Sequence, residues 1–475
     1  MTSMRTASTF TFTSASTIAL VVAAGLLGGC AAGPAYQRPT TPEPAAFKEA
    51  EGWVPAAPAD ALERGPWWQL FDDQVLNVLA AGVEVSNQNV AVAVANYAQA
   101  RALVQQQRAA LFPGVSLGLG GERGGVRGEG ADTAYRLNLG GSWEPDVWGR
   151  LRAGVTGAQA NAEATAADLA SARLSAQGEL AANYFAVRAL DAQRALLART
   201  IAGYERELQI TQNRFNVGLA ARTDVLQAET QLANARNDAL GLNRQRAQFE
   251  HAIAVLVGRA PADFTLAPLP EWRVHVPSIP VGVPATLLQR RPDIAAAERD
   301  VAAANADIGI ARSAYFPNIG LSGSLGTGGS RVSDLFSVSN AVWSFGLSAA
   351  QSVFNAGATR AGVAGAEARH QAAVARYRQT VLNAFADVEN QLTAVRVLEQ
   401  QQELRRVASE AADKVEQQIM NRYRAGQVGY SEVVQAQATA LNARRSLVQV
   451  QADRQTAAVA LIQALGGGWR VSALD

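Results

Sequence analysis

The stretch NRFNVGLAARTDVLQAETQLANAR, residues 213–236, returns without a gap as NRYRAGQVGYSEVVQAQATALNAR at 421–444. Asn213/Asn421, Arg214/Arg422, Phe215/Tyr423, Gly218/Gly426, Asp224/Glu432 and Gln227/Gln435 all pair. Each copy carries a glycine where a helix ends, the usual C-terminal cap. A polar pair follows at once, Thr223-Asp224 or Ser431-Glu432, in the manner of an N-cap. Both stretches therefore read as the tip of a helical hairpin. The correspondence continues upstream. RAGVTGAQA (152–160) pairs with RAGVAGAEA (360–368), and RAALFPGVSL (108–117) resembles RSAYFPNIGL (312–321). The period is far too long for a solenoid, so the chain holds two copies of one large unit, 74–283 and 284–475.

Each unit opens with a helix, expected over 74–111 and 284–315, which Phe112-Pro113 or Phe316-Pro317 ends. Strand-like segments follow around glycine-rich turns. Val115, Leu117 and Leu119 alternate with Ser116, Gly118 and Gly120, and AYRLNLGGSW, PNIGLSGSLG and NAVWSFGLSA alternate likewise. Such alternation over about ten residues is the signature of a membrane β-barrel strand. Phe112, Trp143, Trp148, Phe316, Trp343 and Phe354 suit the aromatic girdles of such a barrel. A long helix comes next. No proline interrupts the chain between Pro145 and Pro261 or after Pro317, and a helix interior rejects proline. From Arg150 to Phe215 such a helix would run ~100 Å. Leu180, Val187, Ile201, Leu208 and Phe215 share one heptad position, and Leu190, Leu197 and Tyr204 the other, as in a coiled coil.

Four strands per chain cannot close a barrel, since bacterial barrels start at about eight, and an open sheet edge in lipid leaves backbone groups unsatisfied. The fold class expected is thus a mixed α/β membrane protein, mainly α, with two internal repeats. Three copies would pool twelve strands into one barrel, continuous with a long α-helical barrel. Two copies would give a barrel that side chains fill.

The N-terminus bears on location. Cys30 is the only cysteine in 475 residues and follows the apolar run Ile18–Leu27. A lone cysteine forms no internal disulfide. The apolar run is too short to span a bilayer, which takes about 20 residues. Residues 1–29 have the organisation of a secretory signal, and Leu27-Gly28-Gly29-Cys30 looks like a bacterial lipobox. Lipidation of Cys30 is expected, with 30–73, crowded with prolines, as a tether. Ala31, where lipoproteins retained at the inner membrane often carry aspartate, favours the outer membrane.

Chemistry leaves no trace. His251, His275 and His370 offer no metal-ligand spacing, no phosphate loop is present, and no nucleophile cluster stands out. No cofactor, metal or enzymatic activity is expected. A net charge of +1 gives no broad attraction to nucleic acid. Arg150, Arg290 and Arg291, beside helix starts, read as structural. Trp67 and Trp68 read as packing at the base of the tether.

The lipobox ending at Cys30, Tyr36-Gln37-Arg38-Pro39, Trp67-Trp68 with Phe71-Asp72-Asp73, Asp146-Val147-Trp148-Gly149-Arg150, Arg290-Arg291-Pro292-Asp293-Ile294 and the two tip repeats are similar to those of TolC-like outer-membrane efflux proteins, in particular the NodT lipoprotein subgroup. The resemblance implies a homotrimeric exit duct in the outer membrane, passively exporting drugs or other small toxic compounds. Its implied partners are a periplasmic adaptor, an inner-membrane resistance-nodulation-division (RND) transporter and outer-membrane lipid. Arg214, Phe215 and Gly218, with Arg422, Tyr423 and Gly426, resemble the adaptor-docking tips. Asp224 and Glu432 resemble acids of the periplasmic gate, although Gln435 and Gln227 stand where many relatives carry a second acid. A periplasmic coiled-coil scaffold or adaptor lipoprotein is the alternative, which the aromatic-flanked strands disfavour.

Overall fold

The computed structural model of the chain describes residues 32–41, 44–49, 66–125, 130–277, 279 and 291–467. Cys30, the signal segment and Arg290 lie outside them. The elements run α1 (Gln74–Ser86), α2 (Gln88–Ala109), β1 (Gly114–Gly124), β2 (Asp132–Trp143), α3 (Arg150–Asn216), α4 (Arg222–Leu256), α5 (Pro292–Ser313), β3 (Asn318–Gly329), β4 (Ala341–Ala350), α6 (Ala358–Arg424) and α7 (Tyr430–Ala464). The repeat is kept closely in helix length. α3 and α6 each hold 67 residues, and α4 and α7 each hold 35.

The opening helix of the first copy is two helices, not one. Asn87 breaks it: its Oδ1 accepts from the backbone N–H of Asn89 and Val90, capping α2, while its Nδ2 donates to the Leu256 carbonyl. Asparagine favours such a local cap over helix interior, and the two pieces bend by 41°. Asp73 caps α1 in the same way through Val75 and Leu76. In the second copy the described helix runs from Pro292, and the expected start at Pro284 lies outside the described residues. Proline suits the first helical turn, and 281–290 fall outside the described residues. Among the described residues no single helix is long and apolar enough to cross a membrane, and only the bent α1–α2 pair reaches that length and composition.

The chain divides into two compact units, and each draws on both sequence repeats. The first (1–40, 98–164 and 297–377) contains the sheet. Its four strands lie in the order β1-β2-β3-β4, all antiparallel. Register places Leu117 opposite Leu139, Leu139 opposite Leu325 and Leu325 opposite Trp343. One face is therefore apolar across all four strands. The other pairs Gly118 with Asn138, Gly140 with Ser324 and Ser324 with Ser344, small and polar. β1 is exposed along its whole length and β4 nearly so, as befits two unpaired edges. The tether packs in this unit. The Ala32 N–H donates to the Trp148 carbonyl, Asn305 Nδ2 donates to the Pro34 carbonyl, and the Tyr36 hydroxyl donates to the Glu298 carboxylate. Gly33 meets Gly309 so closely that a Cβ on Gly33 would lie 2.9 Å from the Gly309 Cα.

The second unit (41–97, 165–296 and 378–475) is helical. The heptad positions meet as expected. Leu190, Leu197 and Tyr204 of α3 pack on Leu232, Ala235 and Leu242 of α4, with Ile201 and Leu208 beside them. Trp67, Trp68 and Phe71 form a buried 3-10 turn, and the Trp67 indole donates to Gln177. Arg291 pairs with Asp293 and Asp387 and donates to the Ala464 carbonyl. Arg150, in the first unit, pairs with Glu144. The segment after α4 is held by buried Asp191, whose carboxylate accepts from Arg246 Nε at 2.7 Å, Arg188 Nη1 at 3.2 Å and the Leu269 N–H at 3.0 Å.

Candidate functional site: the paired hairpin tips

Both tips close by the same hydrogen bonds. In the first, the Gly218 N–H donates to the Phe215 carbonyl and the Leu219 N–H to Arg214. In the second, Gly426 donates to Tyr423 and Gln427 to Arg422. This is the Schellman end of a helix, whose penultimate residue takes a left-handed conformation. Gly218 has φ of 75° and Gly426 of 72°. A Cβ on either would meet nothing within 4 Å, so backbone torsion alone reserves these positions for glycine.

The following helices start two residues earlier than caps at Thr223 and Ser431 would place them. Their N-caps are Ala221 and Gly429, and neither makes a side-chain cap bond. Thr223 and Ser431 are thus not caps. The reason is geometric: after the glycine the chain must re-enter a helix at once, and the extended residue falls at 221 and 429. Asp224 and Glu432 then sit in the first helical turn, where a carboxylate is favoured against the helix dipole. Asp224 is half-buried and Glu432 exposed.

The fold brings the tips of the two repeats together. The Arg214 guanidinium lies 4.9 Å from the centre of the Tyr423 ring, and Arg222 covers Phe215 at 5.7 Å. Tyr423 is buried, 5.4 Å from Tyr430 between ring centres, and both pack with Ala228 and Val433. Arg422 stays exposed, so the two arginines do different work despite matching places in the repeat.

Sequence reasoning missed the polar bridge behind the tips. Gln437 of α7 donates through Nε2 to both carboxylate oxygens of Glu207 on α3, at 2.8 and 2.7 Å. Gln231 of α4 donates to Gln437 Oε1 at 2.9 Å. Burial pushes the Glu207 carboxyl above its ordinary range, and the Gln437 bonds offset that only in part. Burial, together with the nearby Glu207 charge, likewise raises the Tyr430 hydroxyl. Glu207 falls between the heptad positions and pairs with Val415 in the repeat, so no sequence signal marks it. Beside the bridge runs a groove of about 660 Å³ between α4 and α7, with Leu226, Gln227, Val434, Leu441 and Arg445 in its wall. Among the described residues no cluster of three or more His, Cys, Asp or Glu side chains could hold a metal ion.

The description "Outer membrane efflux protein" belongs to the family whose profile matches residues 82–259 and 283–467. The chain belongs to this family. It is 33% identical over 465 residues to the antibiotic efflux pump outer membrane protein ArpC of Pseudomonas putida, covering 96% of each chain. It is 30% identical to the pyoverdine export outer membrane protein OpmQ of Pseudomonas aeruginosa, covering 95% of this chain and 97% of that one. Among solved structures it matches the outer-membrane channel OprN with a TM-score of 0.85 and 31% identity, covering 93% of this chain and all of OprN. Family members are outer-membrane channels, and this one is the exit duct of a tripartite efflux pump. Its fold class is theirs: mainly helical, with four strands per chain given to a trimeric barrel.

Proposed function

We propose that this efflux channel is held in the outer membrane by its barrel and by lipid on Cys30, works as a homotrimer, and docks its paired tips on a periplasmic adaptor that links it to an inner-membrane RND transporter. The observation that carries the docking is the adjacency of two tips with the same backbone turn, joined by Arg214 on Tyr423. A partner with repeated helical hairpins would meet the same Schellman turn twice per chain. Arg214, Phe215, Gly218, Arg422 and Gly426 form that surface, with Tyr423 buried beneath Arg214 as its support.

The duct does no chemistry. Cargo moves down its gradient once the pump delivers it, and selection lies upstream. Relatives of similar identity are named for antibiotic efflux and for pyoverdine export, so one duct design accepts unlike cargoes. Asp224 and Glu432 act as the periplasmic gate. Three copies of each, crowded about one axis, repel and attract cations. The scaffold alternative leaves the sheet and its unpaired edges without a role.

Photo-cross-linking from position 422 in cells tests the docking. Adducts with the adaptor are expected there, and none from exposed positions remote from the tips, such as Leu404. Equal adducts from both would sink the assignment. For the gate, Asp224→Asn with Glu432→Gln should change cation selectivity or divalent-ion block in planar bilayers. For the anchor, mass spectrometry should find acylated Cys30 at the mature N-terminus.

A further inference from the structure

The two hairpins of the sheet turn at the same end. Each strand meets its helix at the other end: β1 and β3 follow α2 and α5, and β2 and β4 lead into α3 and α6. The helices are periplasmic, so the turns stand at the cell surface. Their sequences differ. The first is GVRGEGA at 125–131, rich in glycine. The second is SRVSDLFSVSN at 330–340, longer and with Val332, Leu335, Phe336 and Val338.

The second turn does not continue the line of its strands. It folds back on the apolar face of the sheet. Leu325, between Leu139 and Trp343, lies on that face, and Thr327 and Gly329 follow on the same side by alternation. A Cβ on Gly329 would collide with the Asp334 side chain, so Asp334 sits directly over Gly329. The Thr327 hydroxyl donates to the Asp334 carbonyl at 3.5 Å, and Asn340 Nδ2 donates to the same carbonyl at 3.1 Å. The Asp334 carboxylate accepts from the Arg331 N–H at 2.9 Å. Leu335 is buried, whereas Phe336, Val338 and Val332 are left 81%, 90% and 54% exposed. Tyr135 stands opposite Gly329, an aromatic at the rim of the apolar face, as in the girdle that marks a barrel's membrane interface.

We propose that the β3–β4 turn is a clasp seated in lipid: it lies against the outer wall of the barrel at its extracellular rim, with Phe336, Val338 and Val332 among the acyl chains of outer-leaflet lipid. The occupant is lipid because the patch continues, on the same face, the wall of Leu139, Leu325 and Trp343 that a barrel turns towards lipid. Exposed Arg331, at the head of the turn, is placed to meet anionic headgroups. Held this way, the turn lies outside the pore mouth rather than over it. The inference rests on the sheet being part of a barrel wall and adds a loop to the surface that lipid covers.

Spin labels test it in full-length protein, in vesicles of phospholipid and lipopolysaccharide. One label is placed at Phe336→Cys or Val338→Cys, and its relaxation is read with oxygen, which enters lipid, and with a polar nickel chelate, which does not. Phe345→Cys on the apolar face and Ser344→Cys on the polar face are the references. The parent protein, whose one cysteine is Cys30, gives the background. The oxygen-to-nickel ratio at 336 and 338 should match that at 345 and exceed that at 344 by at least roughly tenfold, since hydrocarbon excludes a polar solute. A ratio like that at 344 would put the turn in water and overturn the proposal. Labels shielded from both reagents would mean that protein covers the turn, which overturns it as well. If 345 and 344 do not differ, the barrel itself falls and the clasp with it.

Discussion

Alanine at three glycines separates torsion from contact. Gly218, Gly426 and Gly241 all have open space where a Cβ would stand. Only the first two have positive φ, whereas Gly241 lies inside α4. Steric crowding therefore contributes to none of them, and the backbone decides the sign. At Gly218 and Gly426 an L-residue in the left-handed region costs about 1–2 kcal/mol. At Gly241 alanine should instead stabilise by about 0.5–1 kcal/mol, since glycine is a poor helix residue. The assay is hydrogen exchange of the tip amides that close each turn, Leu219 to Arg214 and Gln427 to Arg422. A loss of that size raises the open population by a factor of about 5–30, so those amides should exchange faster by that factor in Gly218→Ala and Gly426→Ala. Valine should act more strongly, because its branched Cβ has fewer allowed rotamers. Gly241→Ala should slow exchange in α4. Unchanged tip exchange in both tip variants, or equal effects at all three glycines, would refute the torsional argument.

Further outcomes follow from buried polar groups. Asp191→Asn should release the segment at Leu266–Leu269 and lower stability by about 3–5 kcal/mol, the usual cost of stranding a buried ion, seen as a lower thermal midpoint and new proteolysis near residue 268. Glu207 has a folded-state carboxyl pKa raised by burial. Its proton therefore favours the folded form, and that contribution is present below the ordinary carboxylate value and lost as pH rises through the raised one. The midpoint difference between the wild type and Glu207→Gln should accordingly shift in favour of the wild type as pH falls through that window, and a difference flat with pH would contradict it. Tyr36→Phe should loosen the tether, since its hydroxyl bonds Glu298, and make the chain before residue 40 more open to limited proteolysis.

The duplicated tips were legible because the two stretches align without a gap and share Asn213/Asn421, Arg214/Arg422 and Gly218/Gly426, and the long helices because proline is absent and the heptads are regular. The strands showed in the alternation of Leu117 and Leu119 with glycine. What stayed hidden depends on partners distant in sequence. Asn87 breaks a helix because Leu256 offers it a carbonyl. Glu207 matters because Gln437 lies across from it. Arg214 and Arg422 look alike in the repeat, yet only the fold tells that Arg214 rests on Tyr423. Even the start of α4 and α7 was displaced by two residues, because a Thr-Asp or Ser-Glu pair resembles a cap wherever it falls.

The most direct test of the exit duct is ion conductance of the purified, full-length protein in planar bilayers. Discrete conductance steps are expected, each from one trimer, and their cation selectivity or divalent-ion block should change in Asp224→Asn with Glu432→Gln. Trimeric protein that inserts in the bilayer yet passes no current at any voltage, in either form, would contradict the account.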